Sequence, residues 1–199
     1  MRIQSSHRRA DRGLDRYFTP SCATIALLHI ERGRIPHRLW EPAAGGGNIS
    51  KILLQAGYQV TSSDIAEYGW DGCTAGVDYL TAAPPDGVMG IITNPPFAQA
   101  ADFALKAFNE VDYLALLLRT NFLESADRRE RIFRRFPPTR IHISSRRLPM
   151  MHREGWTGKK SASNTCFAWF CWEASAPQEP VSWFDWKQFT AARTEEGVS

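Results

Sequence analysis

Residues 38–50 have the sequence RLWEPAAGGGNIS, which is a short apolar run followed by a glycine turn and the start of a helix. Leu53 and Leu54 continue the helical pattern, and Gly57 ends it. Glycines between a strand and a helix let the backbone approach a ligand closely, as in nucleotide-binding α/β folds. The spacing is not Gly-x-Gly-x-x-Gly, and Glu41 precedes the glycines. The turn therefore favours a ligand that carries an amino group over a bare phosphate.

A second motif, Asn94-Pro95-Pro96-Phe97, follows the apolar run at 87–93, which is typical of a buried strand. Because neither proline has an N–H to donate, the strand ends at Asn94, and a rigid turn presents an amide beside an aromatic ring. This combination suits a flat heterocycle with an amino group, such as a nucleobase. The alternative is a Pro-Pro loop after a core strand. Two motifs in this order favour the ligand site.

Strand-like and helix-like segments alternate along the chain, which predicts a doubly wound, mostly parallel α/β sheet. The predicted strands are 38–41, 58–63, 73–77, 88–93, 113–119, 139–144 and 165–172, and the predicted helices are 20–32, 48–56, 98–109, 124–136 and a short one near 182–191. Ligands on such sheets bind at the carboxyl ends of the strands. We expect one crevice there to collect the glycine turn, Asp64, Asp78 and Asn94.

With these motifs the chain resembles the class I S-adenosylmethionine-dependent methyltransferases, in particular those that methylate adenine N6 in DNA. Glu41 to Gly47 resembles their cofactor loop, D/E-P-x-x-G-x-G, and Asn94 to Phe97 resembles their catalytic D/N-P-P-Y/F. The resemblance implies a seven-stranded Rossmann-like methyltransferase sheet with an antiparallel last strand. The expected organisation is a basic arm at 1–15, the methyltransferase domain at 16–173 and an extension at 174–199.

The resemblance also implies S-adenosylmethionine as the cofactor and assigns the site. Its implied cofactor-binding residues are Tyr17, Thr19, Glu41, Ala43, Gly45, Gly47, Asp64, Ile65, Asp78, Tyr79 and Asn94. Its implied catalytic residues are Asn94, Pro95, Pro96 and Phe97. In this mechanism the Asn94 side-chain oxygen and the Pro95 carbonyl accept the amino hydrogens, Phe97 stacks on the base, and the methyl group is transferred directly. Neither a metal nor a cysteine nucleophile is expected.

A net charge of +3 conceals an uneven distribution. Residues 119–160 hold twelve of the 24 Lys and Arg residues against four acids, whereas residues 17–118 hold five basic and ten acidic residues. The basic positions Arg146, Arg147, Arg153, Lys159 and Lys160 fall in a loop-like stretch, a composition typical of phosphate binding. We expect nucleic acid, most of all DNA, as the partner. The alternative is a solvated loop.

Composition limits the other classes. No apolar run approaches the ~18 residues of a membrane span, and the four cysteines lack zinc spacing, so we expect a cytoplasmic protein with reduced thiols. The size is similar to that of stand-alone phage and prophage methyltransferases, without a separate target-recognition domain. Because Asn-Pro-Pro also occurs in enzymes that methylate RNA adenine, cytosine amino groups or protein glutamine, these substrates stay open. An inactive nucleic-acid-binding module and a nicotinamide-linked oxidoreductase are the further alternatives.

Overall fold

The structure, a computed structural model, describes residues 18–150, 165–179 and 181–190. Across these ranges eight strands form one sheet: β1 (Arg38–Glu41), β2 (Gln59–Asp64), β3 (Thr74–Ala75), β4 (Gly90–Thr93), β5 (Tyr113–Arg119), β6 (Arg140–Ser144), β7 (Phe167–Glu173) and β8 (Ser182–Phe184). The α-helices are α1 (Ser21–Ile30), α2 (Asn48–Gln55), α3 (Ala100–Ala107), α4 (Ala126–Arg128) and α5 (Lys187–Thr190). A 3₁₀ turn (Thr120–Leu123) precedes α4, and a π-helical turn (Arg129–Phe133) continues it. No helix in the described ranges is long and apolar enough to cross a membrane.

The strand order is β3-β2-β1-β4-β5-β7-β6-β8. Strands β1 to β5 pair in parallel, β7 is antiparallel to both β5 and β6, and β8 is parallel to β6. The predicted mixed α/β class with a mostly parallel sheet is confirmed. The predicted seven strands with an antiparallel last strand were wrong in detail: the described residues contain an eighth strand, and the antiparallel strand is β7.

The eighth strand replaces part of the helix predicted near 182–191. Along β8 the side chains alternate, so that Trp183 is 66% exposed while Phe184 is buried in the core. This period of two belongs to a strand at the edge of a sheet and not to a helix. Only Lys187–Thr190 is helical in this region.

The continuous apolar strand β5 divides the core into two layers. Its side chains point alternately to the two faces, so Leu117 packs with α1 and α2 while Leu116 packs with α3. Layers of helices therefore cover both faces of the sheet, which leaves the edge where the parallel strands end as the place for polar residues.

At that edge β1, β2, β4 and β5 end at Glu41, Asp64, Thr93 and Arg119. Strand β6 runs in the same direction because β7 is antiparallel to both β5 and β6. The chain consequently leaves β6 at this edge and returns to it at Phe167, which is opposite Arg119. The intervening basic segment is anchored at both ends on the same edge as the predicted site.

A buried ionic network joins the end of α1 to the distal strands. The Glu31 carboxylate is fully buried, and it accepts hydrogen bonds from Arg140 Nε at 2.8 Å and Nη2 at 2.9 Å and from the Tyr113 hydroxyl at 3.1 Å. His142 Nε2 shares a 2.6 Å hydrogen bond with Glu31, and Arg140 also donates to Glu173 at 2.6 Å. Burial alone raises the pKa of Glu31, but the bonds from His142 and Arg140 outweigh it and lower the pKa to about 2.

The same network includes a cluster of metal-ligand types. One ligand atom from each of Glu31, His142 and Cys171 lies within 4.8 Å of the others. Because both Glu31 oxygens already accept bonds from the Arg140 guanidinium, a cation here would face a fixed positive charge. We therefore interpret the cluster as an ion-pair network that fixes α1 against the sheet.

Candidate active site

A cavity of about 270 Å³ opens at the carboxyl edge of the sheet, where the glycine turn meets the tetrapeptide. Of the residues predicted to bind the cofactor, those that line it are Thr19, Glu41, Ala43, Gly45, Asp64, Ile65, Asp78, Tyr79 and Asn94. The cavity is also lined by Pro42, Ala44 and Gly46, which lie within the predicted cofactor loop, and by residues that were not predicted: Phe18, Asn48, Tyr68, Val77, Gln99 and Phe103. Several of these are neighbours of motif residues, whereas Tyr68, Gln99 and Phe103 carried no sequence signal. Tyr17 lies outside the described residues.

Asp64 connects the end of β2 to the glycine turn. Its carboxylate is only 6% exposed and accepts hydrogen bonds from the Gly45 backbone N–H at 2.9 Å and from the Ala66 N–H at 3.0 Å. The turn is thereby fixed against the neighbouring strand, with an acidic group held at the wall of the cavity. A carboxylate in this position can accept hydrogen bonds from ligand hydroxyl groups.

Glu41, at the end of β1, is a buried acid of a different kind. Its Oε2 accepts hydrogen bonds from the Ser50 backbone N–H at 2.7 Å and from the Ser50 hydroxyl. Burial raises the pKa of Glu41 most, the hydrogen bonds from Ser50 lower it and the Asp64 charge raises it, so that the net pKa is about 8. The carboxyl group is therefore largely protonated at neutral pH, and a cation placed in the cavity would favour its ionisation.

Thr19 ties the segment before α1 to both motifs. Asn94 donates from Nδ2 to the Thr19 hydroxyl oxygen at 3.0 Å, and Asn48 donates from Nδ2 to the Thr19 carbonyl at 3.2 Å. The Thr19 side chain is almost completely buried. These contacts close one end of the cavity and set the orientation of the Asn94 amide.

The tetrapeptide forms a wall between two cavities. Asn94 and Pro96 line the first cavity, whereas Phe97 lines a second cavity of about 270 Å³. The Arg119 guanidinium carbon lies 4.2 Å from the centroid of the Phe97 ring, and the Phe167 ring is tilted against Phe97 at 6.0 Å. Pro95 is buried and lines neither cavity. An amide and an aromatic ring of one rigid turn thus line two different cavities.

The glycines of the turn have different roles. Gly45 has a φ of 52°, and a Cβ placed on it would meet no atom within 4 Å, so this residue leaves open space at the cavity. Gly47 has a φ of 78°, and a Cβ there would lie 2.2 Å from the Trp70 ring. Gly47 does not line the cavity. Its lack of a side chain admits the ring that packs behind the turn.

The predicted nucleic-acid residues are only partly described. Arg146 donates three hydrogen bonds to Asp185, from Nε at 3.0 and 3.1 Å and from Nη2 at 2.9 Å. A phosphate would therefore compete with a carboxylate for this guanidinium. Arg147 is exposed. Arg153, Lys159 and Lys160 lie outside the described residues.

Several solved structures have a similar fold. A protein from Listeria monocytogenes, named as a class I S-adenosylmethionine-dependent methyltransferase, is 14% identical with a TM-score of 0.59, over 98% of this chain and 72% of that one. A protein from Pyrococcus horikoshii, named as an RNA methyltransferase, is 17% identical with a TM-score of 0.57, over 85% and 92%. A protein from Vibrio vulnificus, named as a modification subunit of a type I restriction enzyme, is 12% identical with a TM-score of 0.59, over 96% and 55%.

The chain has a Rossmann-like methyltransferase fold. At these identities the likeness establishes the fold, and the chemistry has to be argued from the site. No protein-family model matches the sequence, and no curated protein matches it either.

Proposed function

We propose that this chain transfers a methyl group from S-adenosylmethionine to the exocyclic N6 amino group of adenine in DNA. The observation that carries the proposal is the position of the tetrapeptide between two cavities. Asn94 faces the cavity that contains the glycine turn, and Phe97 faces the other. A methyl donor on one side and a flat acceptor on the other would meet at Asn94.

The acidic lining of the first cavity supports binding of the cofactor. Asp64 and Asp78 both line it, and in the proposed complex Asp64 accepts hydrogen bonds from the ribose hydroxyls while Asp78 contacts the adenine ring. The open space beside Gly45 gives the ligand close access to the backbone. Glu41 offers a carboxyl group to the amino end of the cofactor. When bound, the cofactor supplies an electrophilic methyl group on a sulfonium.

The residues around Asn94 would activate a poor nucleophile. The lone pair of an adenine amino group is conjugated into the ring, so attack requires that the nitrogen become more tetrahedral. Because Thr19 engages Nδ2 of Asn94, the side-chain oxygen is assigned the acceptor role, together with the Pro95 carbonyl. The nitrogen–carbon bond forms as the sulfur–carbon bond breaks, and the amino group then gives up one proton to solvent. Positioning and electrostatics supply the acceleration.

Methylation of adenine in RNA is the second candidate. It is favoured by the similarity to the fold of the Pyrococcus horikoshii protein, which is named as an RNA methyltransferase. The planar amino group of adenine is the same in DNA and RNA, so the tetrapeptide can make the same contacts to adenine in either polymer. A protein glutamine amide presents a similar planar nitrogen, and the substrate experiment below distinguishes it from both nucleic acids.

The deciding experiment is methyl transfer with isotopically labelled S-adenosylmethionine to DNA, RNA and protein substrates, followed by digestion and identification of the modified unit. N6-methyladenine in the DNA digest is the expected product. The matched control is Asp64→Ala, which removes charge-assisted bonds of about 1.5–3 kcal/mol and should raise the cofactor dissociation constant about ten- to 150-fold. A label found only in RNA or glutamine would reassign the substrate. If the protein binds the cofactor and DNA but methylates none of the substrates, it is an inactive nucleic-acid-binding module.

A further inference from the structure

The second cavity lies on the acceptor side of the tetrapeptide. It is lined by Phe97, Leu118, Arg119, Asn121, Phe122 and Arg128, among others. Most of these residues come from the end of β5 and the connection to α4, a part of the chain that the sequence motifs do not cover. The cavity thus brings two guanidinium groups and one amide to the aromatic ring of the tetrapeptide.

Arg128 is held in place by neutral acceptors. Its Nε donates to the Phe122 carbonyl at 2.6 Å, and its Nη2 donates to the carbonyls of Glu124 at 2.8 Å and Asn121 at 3.1 Å. No carboxylate lies within ion-pair distance of Arg128 among residues 18–150, 165–179 and 181–190. Carbonyl dipoles orient the guanidinium but do not cancel its charge. The cavity therefore keeps a fixed positive charge at its wall.

The neighbouring arginines are different. Arg131 pairs with Asp102 at 2.8 Å and with Asp127 at 3.2 Å, and Arg134 pairs with Glu130 at 2.7 Å. These side chains follow Arg128 within two helical turns, and their charges are balanced by carboxylates on the surface. Among the described residues, the absence of a carboxylate partner thus distinguishes Arg128 from Arg131 and Arg134.

Two further groups complete the cavity. The Arg119 guanidinium carbon lies 4.2 Å from the centroid of the Phe97 ring, which places a second cation beside the ring. Asn121 is exposed, and no hydrogen bond of its side-chain amide to another described residue is found. Its N–H₂ group is positioned to donate to a ligand. Two fixed cations and an amide donor in one cavity are the groups that proteins use to hold a phosphate oxygen.

We propose that this cavity binds a backbone phosphate of the acceptor strand next to the target base, through Arg119, Arg128 and the amide of Asn121. The inference rests on the proposed function and narrows it, because it makes the acceptor a polynucleotide and not a protein glutamine. A nucleotide whose base is held at the tetrapeptide carries its phosphate only a few bonds away. The same cavity that receives the base can therefore set the register of the strand.

The test measures affinity and its dependence on salt. The probe is a fluorescein-labelled, single-stranded DNA of mixed sequence, titrated by fluorescence anisotropy between 50 and 200 mM KCl with the full-length chain. The informative variant is Asn121→Asp, which places a negative charge in the cavity without removing any bond of Arg128. Its control is Asn109→Asp, which introduces the same charge at an exposed residue before β5, at the opposite edge of the sheet. Because Asn109 donates from Nδ2 to the Leu105 carbonyl at 3.1 Å, the unfolding temperature of this variant is measured beside its affinity.

We expect Asn121→Asp to weaken DNA binding about tenfold or more at 50 mM KCl and to reduce the slope of log affinity against log salt by about 0.7, the value of one lost contact on a single strand. Asn109→Asp should change affinity less than twofold. Arg128→Gln should reduce the slope in the same way, whereas Arg131→Gln should not. Arg128→Gln also removes the hydrogen bonds from Arg128 to the loop carbonyls, so the unfolding temperature of this variant is measured as well. If that temperature falls, the test is decided by Asn121→Asp alone.

The outcomes separate this inference from the proposed function. If the wild type methylates DNA but Asn121→Asp behaves like Asn109→Asp, the phosphate site is wrong and the function stands. If Asn121→Asp loses DNA affinity but the wild type methylates no nucleic acid, the function is wrong and the phosphate site stands. If inorganic phosphate at constant ionic strength displaces the probe from wild type and from Asn121→Asp equally, the contact is not in this cavity and the proposal falls.

Discussion

Asn94 and Thr19 are 75 positions apart in the sequence, and the Asn94 amide donates to the Thr19 hydroxyl across 3.0 Å. The bond makes the segment before α1 part of the proposed catalytic geometry. The Asn94 amide thus has two roles: it is proposed to contact the acceptor, and it is the hydrogen-bond partner of Thr19. A substitution at Asn94 removes both roles together.

Substitutions at these two positions should therefore differ. Asn94→Ala should leave S-adenosylmethionine binding within a few-fold of wild type and reduce methyl transfer by several orders of magnitude, because its contacts serve the transition state. Thr19→Val, of similar shape, removes only the hydroxyl that orients the amide and should cost far less. Single-turnover rates with saturating cofactor measure both. Near-normal turnover of Asn94→Ala would falsify the assigned mechanism.

The two glycines should separate ligand binding from folding. Gly45→Ala places a methyl group in open space at the cost of a positive φ, about 1–2 kcal/mol, so the protein should fold while cofactor affinity falls. Gly47→Ala drives its Cβ into the Trp70 ring, so the unfolding free energy should fall by at least about 1–3 kcal/mol more.

Urea denaturation and calorimetry with S-adenosylmethionine measure the two effects. A smaller residue at position 70, as in Gly47→Ala combined with Trp70→Leu, should recover part of the lost stability. If Gly47→Ala is as stable as wild type, Trp70 does not occupy the space that the structure assigns to it.

Glu41 should make cofactor binding depend on pH. Its folded pKa of about 8 is above the ordinary value of 4.5, so its contribution to stability is complete below about 4.5 and is lost as the pH rises through about 8. If the cofactor ammonium group requires the ionised carboxylate, binding releases a proton at pH 5.5–7. Affinity should then rise with pH by up to about tenfold per unit.

Calorimetry in two buffers with different ionisation enthalpies detects the released proton directly. Glu41→Gln cannot ionise, so its affinity should be lower and its pH dependence flat in this range. An affinity of the wild type that does not vary from pH 5.5 to 7 would show that Glu41 stays protonated beside Ser50 when the cofactor binds.

The Glu31 network should contribute strongly to the free energy of unfolding, because it joins α1 to strands β5, β6 and β7. Glu31→Gln or Arg140→Met leaves a buried charge without its partner, and each should lower the unfolding free energy by about 3–5 kcal/mol. The folded pKa of Glu31, about 2, is below its ordinary 4.5. Its stabilising contribution is therefore present above about pH 4.5 and is lost as the pH falls through about 2.

Urea denaturation of wild type and Glu31→Gln across pH 7 to 3 tests this sign. The difference between the two proteins should be constant down to about pH 5 and should shrink below it. A matched surface substitution, Glu130→Gln, removes a carboxylate that pairs in solvent and should change stability by about 1 kcal/mol or less.

Short-range sequence patterns predicted the helices and strands whose conformation depends mainly on neighbouring residues. The apolar run of β5 and the glycine turn before α2 both carry strong short-range signals, and the structure has these elements where they were expected. The positions of Asp64, Asp78 and Asn94 followed from the rule that parallel strands end at one edge. One cavity accordingly collects these three residues.

Long-range packing decided what the sequence could not predict. Three aromatic residues near 182–186 suggested a helix, but pairing with β6 made part of this stretch a strand. The predicted helix 124–136 is instead α4 with a π-helical turn, in which Arg128 is engaged by carbonyls of the preceding turn. The acceptor-side cavity depends on Phe97 meeting Arg119 and Arg128, which no spacing rule brings together.

The buried ionic network also has a consequence for the order in which parts of the chain become fixed during synthesis on the ribosome. Glu31 finds its partners Arg140 and His142 only 109 and 111 residues later in the chain. Until these residues emerge, α1 lacks its buried ion-pair partners on the sheet, and Thr19, just ahead of α1, is not yet held in place at the proposed cofactor cavity. The donor site, although encoded early, is therefore expected to mature only when the acceptor-side strands have been synthesised.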